Sequence, residues 1–140
     1  MTLVLDAAPL VAMADAGEPR LEALLSIRDE EEGPLVLPAP VAAEVDYPLG
    51  VRFGHAARRA FLGDLAAQRY DVACLEAGDY RVVAELDARY ADLGLGLADC
   101  SIVVLAECCE TRRVLTFDER HFRAVAPLQG GSFTLLPADS

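Results

Sequence analysis

Apolar positions recur along the chain in two alternating patterns. Short runs dominated by apolar or β-prone residues read as strands: Thr2-Leu-Val-Leu-Asp6, Leu35-Val-Leu37, Tyr70 to Cys74, Arg113-Val-Leu-Thr-Phe117 and Ser132-Phe-Thr-Leu-Leu136. Between them lie stretches with helical spacing. Ala7 to Ala16 accepts Pro9 in its first turn. Glu18 to Glu32 carries Leu21, Leu24 and Leu25 on one face, with Gly33 closing it. A helix follows from Pro38-Ala-Pro40, is expected to kink or end at Pro48, and passes a flexible joint over Gly50 to Gly54 before a second helical stretch from His55 to Gln68. Glu76 to Asp92 is amphipathic, with Val82, Val83, Leu86 and Tyr90 as its buried stripe. After the break at Gly94 and Gly96, Ser101 to Ala106 is apolar nearly all round, which predicts a helix sunk in the core, begun or capped by Asp99.

Strands alternating with helices predict an α/β fold whose parallel sheet is covered on both faces and linked by right-handed crossovers. A length of 140 residues, with no repeat and no long linker, predicts one domain spanning residues 1–140. No apolar run is long enough to cross a membrane, and the N-terminal residues have no leader pattern, so a cytoplasmic location is expected. Cys74, Cys100, Cys108 and Cys109 form no C-x-x-C pair and read as reduced core thiols. Gly94-Leu-Gly96 lacks the preceding strand and third glycine of a dinucleotide loop.

Charge narrows the chemistry. The formal net charge is −11 and every basic residue is Arg. Such a surface repels polyanions at long range, so a phosphate substrate requires a divalent ion and local arginines. Arg58, Arg59 and Arg69 read as a solvated face, with a phosphate track as the alternative, and the acidic run Asp29 to Glu32 reads as a solvated helix end. Four other acids stand at revealing places. Asp6 and Asp118 each follow a buried strand, where open α/β sheets bind ligands. Glu44 and Asp99 lie on helices that begin near the same edge, and Asp46, two residues after Glu44, cannot share its face. Asp118 also caps a short helix running to Phe122. Four carboxylates at one edge repel unless protonated, separated or neutralised, and Mg²⁺ or Mn²⁺ is the simplest counter-charge.

In the segments LVLDAAPLVAMAD, LPAPVAAEVDYPL, YADLGLGLADCSIVVLAE and RRVLTFDERHF, the chain resembles PIN-domain ribonucleases, and among them the VapC toxins of toxin–antitoxin pairs. The resemblance implies a PIN-like three-layer α/β/α fold with a five-stranded parallel sheet and a metal-dependent endoribonuclease that hydrolyses RNA phosphodiester bonds. It assigns metal binding to Asp6 and Asp99, completion of the pocket to Glu44 and Asp118, an orienting hydroxyl to Thr116, and an additional acid to Asp92. It further implies 5′-phosphate and 3′-hydroxyl products, a VapB-like antitoxin that places an Arg among the carboxylates, and a homodimer. Asp6 is followed by Ala7-Ala8, where the family usually has Thr or Ser. An inactive PIN-like binding module is the alternative suggested by that change. A phospho-receiver domain would need a lysine near its acids, and the chain contains none.

Overall fold

The computed structural model describes residues 1–140. Its strands are β1 (Leu3–Leu5), β2 (Leu35–Pro38), β3 (Asp71–Ala73), β4 (Arg113–Leu115) and β5 (Thr134–Leu136). They form one all-parallel sheet in the order β3-β2-β1-β4-β5. The helices are α1 (Ala7–Ala12), α2 (Leu21–Glu30), α3 (Ala39–Ala66), α4 (Asp79–Arg89), α5 (Leu97–Cys108) and α6 (Glu119–Ala124), with a 3₁₀ turn over Ala91–Leu93. From β1 the chain steps outward to β2 and β3, then crosses back to β4 and β5 on the other side. Right-handed crossovers in opposite directions place helices on both faces, giving the three-layer arrangement. The reversal at β1 and β4 creates a topological switch point at the carboxyl edge of the sheet.

The core follows the apolar runs. All three residues of β1 are buried, as are Val114 and Leu115 of β4, because both strands have neighbours on either side. On α5, Cys100 to Ala106 is buried without interruption, and the helix packs on β1, β2 and β4. A helix apolar on every side has no wetted face and must be enclosed.

Several expected boundaries move. The first helix ends at Ala12, and the second occupies Leu21–Glu30. Pro48 does not end α3, although its ring removes the donor that the Glu44 carbonyl would meet. The break comes at Gly54, the last residue of the joint expected over Gly50 to Gly54, whose φ of 87° and ψ of 178° are open only to glycine at low energy. Arg58 Nε reaches Asp46 Oδ1 at 2.8 Å across this bend. β3 starts one residue after Tyr70, which is itself buried, and as an edge strand leaves Asp71 and Val72 exposed. The amphipathic stretch from Glu76 shortens to α4 plus the 3₁₀ turn, and of its expected stripe only Leu86 is fully buried.

Two charge and thiol expectations also change. Glu31, in the run expected to be merely solvated, is nearly buried and pairs with Arg113 at 2.7 Å, tying the end of α2 to the start of β4. Burial opposes the charge on Glu31, but hydrogen bonds from Arg113 and the Gly33 N–H hold its carboxyl below the usual range. All four cysteines are free, yet only Cys100 lies in the core. Cys74 and Cys108 are exposed because they fall at the sheet edge and at the last turn of α5.

Candidate metal centre at the sheet edge

The site is built on one extension of the sheet. Leu5 and Leu115 are register partners in β1 and β4, and the ladder continues one residue further as the Asp6 N–H donates to the Leu115 carbonyl at 2.9 Å. Asp6 and Thr116 therefore emerge side by side. Thr116 donates its hydroxyl to Asp6 Oδ2 at 2.6 Å, and the Ala7 N–H donates to Asp6 Oδ1 at 2.8 Å. Both groups are buried, Asp6 at 8% exposure and Thr116 at 1%. Each carboxylate oxygen has a second lone pair, so Asp6 is fixed in orientation without being saturated.

Thr116 also accepts the Asp118 N–H at 2.9 Å, which sets the turn leading into α6. Asp118 caps that helix as expected, with Oδ1 accepting the His121 N–H at 2.9 Å. The same turn aims the imidazole back at the acids. His121 Nδ1 lies 2.8 Å from Asp118 Oδ2 and 3.0 Å from Asp99 Oδ2, while Nε2 lies 3.0 Å from the Leu93 carbonyl oxygen. Asp99 is in the first turn of α5, but Gly96 occupies the cap position, so the Asp99 carboxylate is free to face His121.

Burial raises the Asp6 carboxyl above its ordinary value. The hydrogen bonds from Thr116 and Ala7 oppose that shift, the charge of Asp118 adds to it, and His121 opposes it. Asp99 is raised by burial and then by Asp6, with His121 acting in the opposite direction and Asp118 adding a little. Burial and the neighbouring Asp6 also raise Glu44, although its side chain is on the exposed part of α3. These acids thus share one field, and each disfavours the charged form of its neighbours.

Of the acids expected from the sequence, Asp6, Asp99 and Asp118 come together with Thr116, and Glu44 stands at the rim of an adjoining groove. Asp92 lies exposed on the 3₁₀ turn and makes no hydrogen bond to the group. His121 is the residue that sequence reasoning passed over. Its signal was the Asp-x-x-His spacing of Asp118 and His121, which a single helical turn folds onto one side.

The donors suit a divalent cation. One ligand atom each from Asp99, Asp118 and His121 lie within 4.8 Å of one another. Because Nε2 faces a carbonyl and must donate to it, a neutral His121 turns the lone pair of Nδ1 toward two carboxylates. Only a proton or a metal ion makes that arrangement favourable, and an outer N–H held by a backbone carbonyl is the usual support for a metal-binding imidazole.

Comparison with known proteins agrees with this geometry. The PIN domain family model matches residues 3–127. Ribonuclease VapC26 of Mycobacterium tuberculosis is 37% identical over 135 residues, covering 96% of this chain and all of that protein. The crystal structure of VapC20 of M. tuberculosis, a toxin that cleaves the sarcin–ricin loop, superposes with a TM-score of 0.75 at 16% identity, covering 84% of this chain and 90% of the other. A chain from VapBC2 of Rickettsia felis, solved bound to a fragment of promoter DNA, gives a TM-score of 0.66 at 16% identity, covering 96% and 97%. With a buried parallel sheet, an acidic pocket at its switch point and a full-length relative among the VapC ribonucleases, the chain belongs to the PIN-domain family and, within it, to the VapC ribonucleases.

Proposed function

We propose that this chain is the toxin of a VapBC-type pair and hydrolyses RNA internally, with Mg²⁺ or Mn²⁺ held among Asp6, Asp99, Asp118 and His121. The observation that carries the proposal is the convergence of Asp99, Asp118 and the His121 imidazole at the sheet edge, with the Asp6 carboxylate close enough to share their field. A divalent ion in such a site lowers the pKa of a bound water and stabilises negative charge on the phosphoryl oxygens.

The protein's own part is preorganisation. Thr116 and the Ala7 N–H hold Asp6 against the repulsion of its neighbours, so no reorganisation is needed when the acids engage a ligand. Asp118 is set by Thr116 on one side and by α6 on the other. His121 braces Asp99 and Asp118 and brings a nitrogen donor, which suits Mn²⁺ better than Mg²⁺. Glu44, lining the adjoining groove, extends the carboxylate field into it. Ala7 and Ala8 take no part in this scaffold through their side chains, so the missing hydroxyl after Asp6 leaves the metal donors intact.

An antitoxin partner is supported by the likeness to the VapBC2 complex, and an antitoxin Arg would satisfy the crowded carboxylates bidentately. The test is cleavage of labelled total RNA by purified protein. Discrete fragments bearing 5′-phosphates, formed with Mg²⁺ or Mn²⁺ and suppressed by chelator, are expected. Intact RNA under all metal conditions, from a protein shown to be folded, would overturn the proposal.

A further inference from the structure

Beside the carboxylates, α1, the first half of α3 and Phe117 enclose a groove of about 420 Å³. A second concavity of about 350 Å³ reaches Thr116, and the two share Arg20 and Phe117. The Arg20 guanidinium lies over the Phe117 ring, its central carbon 3.5 Å from the ring centroid. Glu18 fixes it there, with Oε1 2.7 Å from Arg20 Nε. Half of the Arg20 side chain remains exposed, so the outer face of this fixed plane is open.

Arg52 lies on another wall of the larger groove, one turn beyond Pro48 and two beyond Glu44 on α3. Arg20, Arg28, Arg58, Arg69, Arg113 and Arg123 are engaged in ion pairs; Arg52, like Arg59, Arg81, Arg89, Arg112 and Arg120, is not, and among these six it is the one that lines the groove. In a chain of net charge −11, an unpaired arginine in a groove lined also by Asp15, Glu18 and Glu44 is conspicuous. Ala7 and Ala8 form part of the floor, and their small side chains leave it open.

Resting on the ribonuclease assignment above, we infer that this groove is a subsite for one unpaired nucleotide next to the scissile phosphate. Its base stacks on the Phe117–Arg20 plane, and its phosphate is held by Arg52. A guanidinium already layered on an aromatic ring offers a rigid flat surface, and every base has a face to place on it. Arg52 supplies a point of attraction that the rest of the acidic surface lacks, so RNA is registered at the site rather than held along its length. The space is ample for one base, which an unpaired nucleotide can place there without breaking a pair. Ala7-Ala8, the departure from the family pattern, then acquires a function: larger side chains there would narrow the floor of the subsite.

The test uses the full chain and a short single-stranded RNA cut from a site mapped in total RNA. Arg20→Ala is expected to raise KM about tenfold with kcat within about twofold, the scale of one lost base stack. Replacing the neighbouring nucleotide by an abasic one should have a similar effect in wild type and little further effect in Arg20→Ala. Arg52→Gln should reduce the dependence of log affinity on log salt by about 0.7, the contribution of one phosphate contact on a single strand. Unchanged KM and salt slope in both variants, while wild type cuts the RNA, would overturn the subsite and leave the nuclease assignment standing. If instead the variants lose only antitoxin binding, the groove docks protein and the RNA subsite is refuted. Failure of wild type to cut any RNA would remove both.

Discussion

Thr116→Val isolates the joint on which the site rests. Valine keeps the volume and branching of threonine, so packing at this buried position is preserved while the hydroxyl is lost. Two hydrogen bonds go with it: the donor to Asp6 Oδ2 at 2.6 Å and the acceptor for the Asp118 N–H at 2.9 Å. Losing a hydrogen bond to a buried charged group costs about 1.5–3 kcal/mol, and leaving the partly buried Asp118 N–H unmatched adds roughly 1 kcal/mol. The sum, about 3 kcal/mol, lowers Tm by roughly 10 °C for a domain of this size. Because Thr116 stabilises the charged form of Asp6, its loss pushes that carboxyl further upward, and the penalty shrinks as pH is lowered and Asp6 protonates. Thermal melts at pH 7 and near pH 4, together with RNA cleavage rates, measure both consequences, and Thr116→Ser should retain most of each. A valine variant that melts within about 1 °C of wild type and cuts RNA equally fast would refute the claim that Thr116 orients the site.

Other perturbations address the electrostatics and the scaffold. Asp6, Asp99 and Glu44 have raised carboxyl pKa values, so the folded state binds more protons than the unfolded chain just above the ordinary carboxylate range. The metal-free protein should therefore lose stability as pH rises through that window, and added Mg²⁺ or Mn²⁺ should restore it at neutral pH, as calorimetric melts would record. Asp99→Asn removes one charge from the cluster while its amide still meets His121 Nδ1, so the metal-free variant should melt a few degrees above wild type; a lower Tm contradicts the repulsion. Gly54→Ala should cost about 1–3 kcal/mol in urea unfolding, since alanine is strained at that φ although nothing obstructs its Cβ. Ile102→Ala, at a fully buried position of α5, should cost about 2–5 kcal/mol in the same assay.

Elements whose surroundings are uniform were legible in the sequence. β1 and β4 read as buried strands ended by acids because both have neighbours on two sides, and α5 read as a core helix because it has no polar face. The acids of those elements converge for the same reason, since the register of adjacent strands carries Asp6 and Thr116 to one edge. What escaped depends on tertiary partners. Pro48 looked like a kink or a stop, but packing on α1 carries α3 past it to Gly54. Glu31 looked solvated because Arg113, far along the chain, supplies its partner. His121 was given no role in its short helix, and it acquires one only when Leu93 and Asp99 are brought against its two nitrogens.

The central claim is that these carboxylates and His121 hold a divalent ion. Titration of Mn²⁺ into wild type, Asp99→Asn and His121→Gln, followed by electron paramagnetic resonance of the bound ion, tests it most directly. One ion per wild-type chain is expected, with nitrogen coupling that disappears in His121→Gln and affinity weakened at least about tenfold in Asp99→Asn. Equal binding by all three proteins, with no nitrogen coupling in wild type, would contradict it.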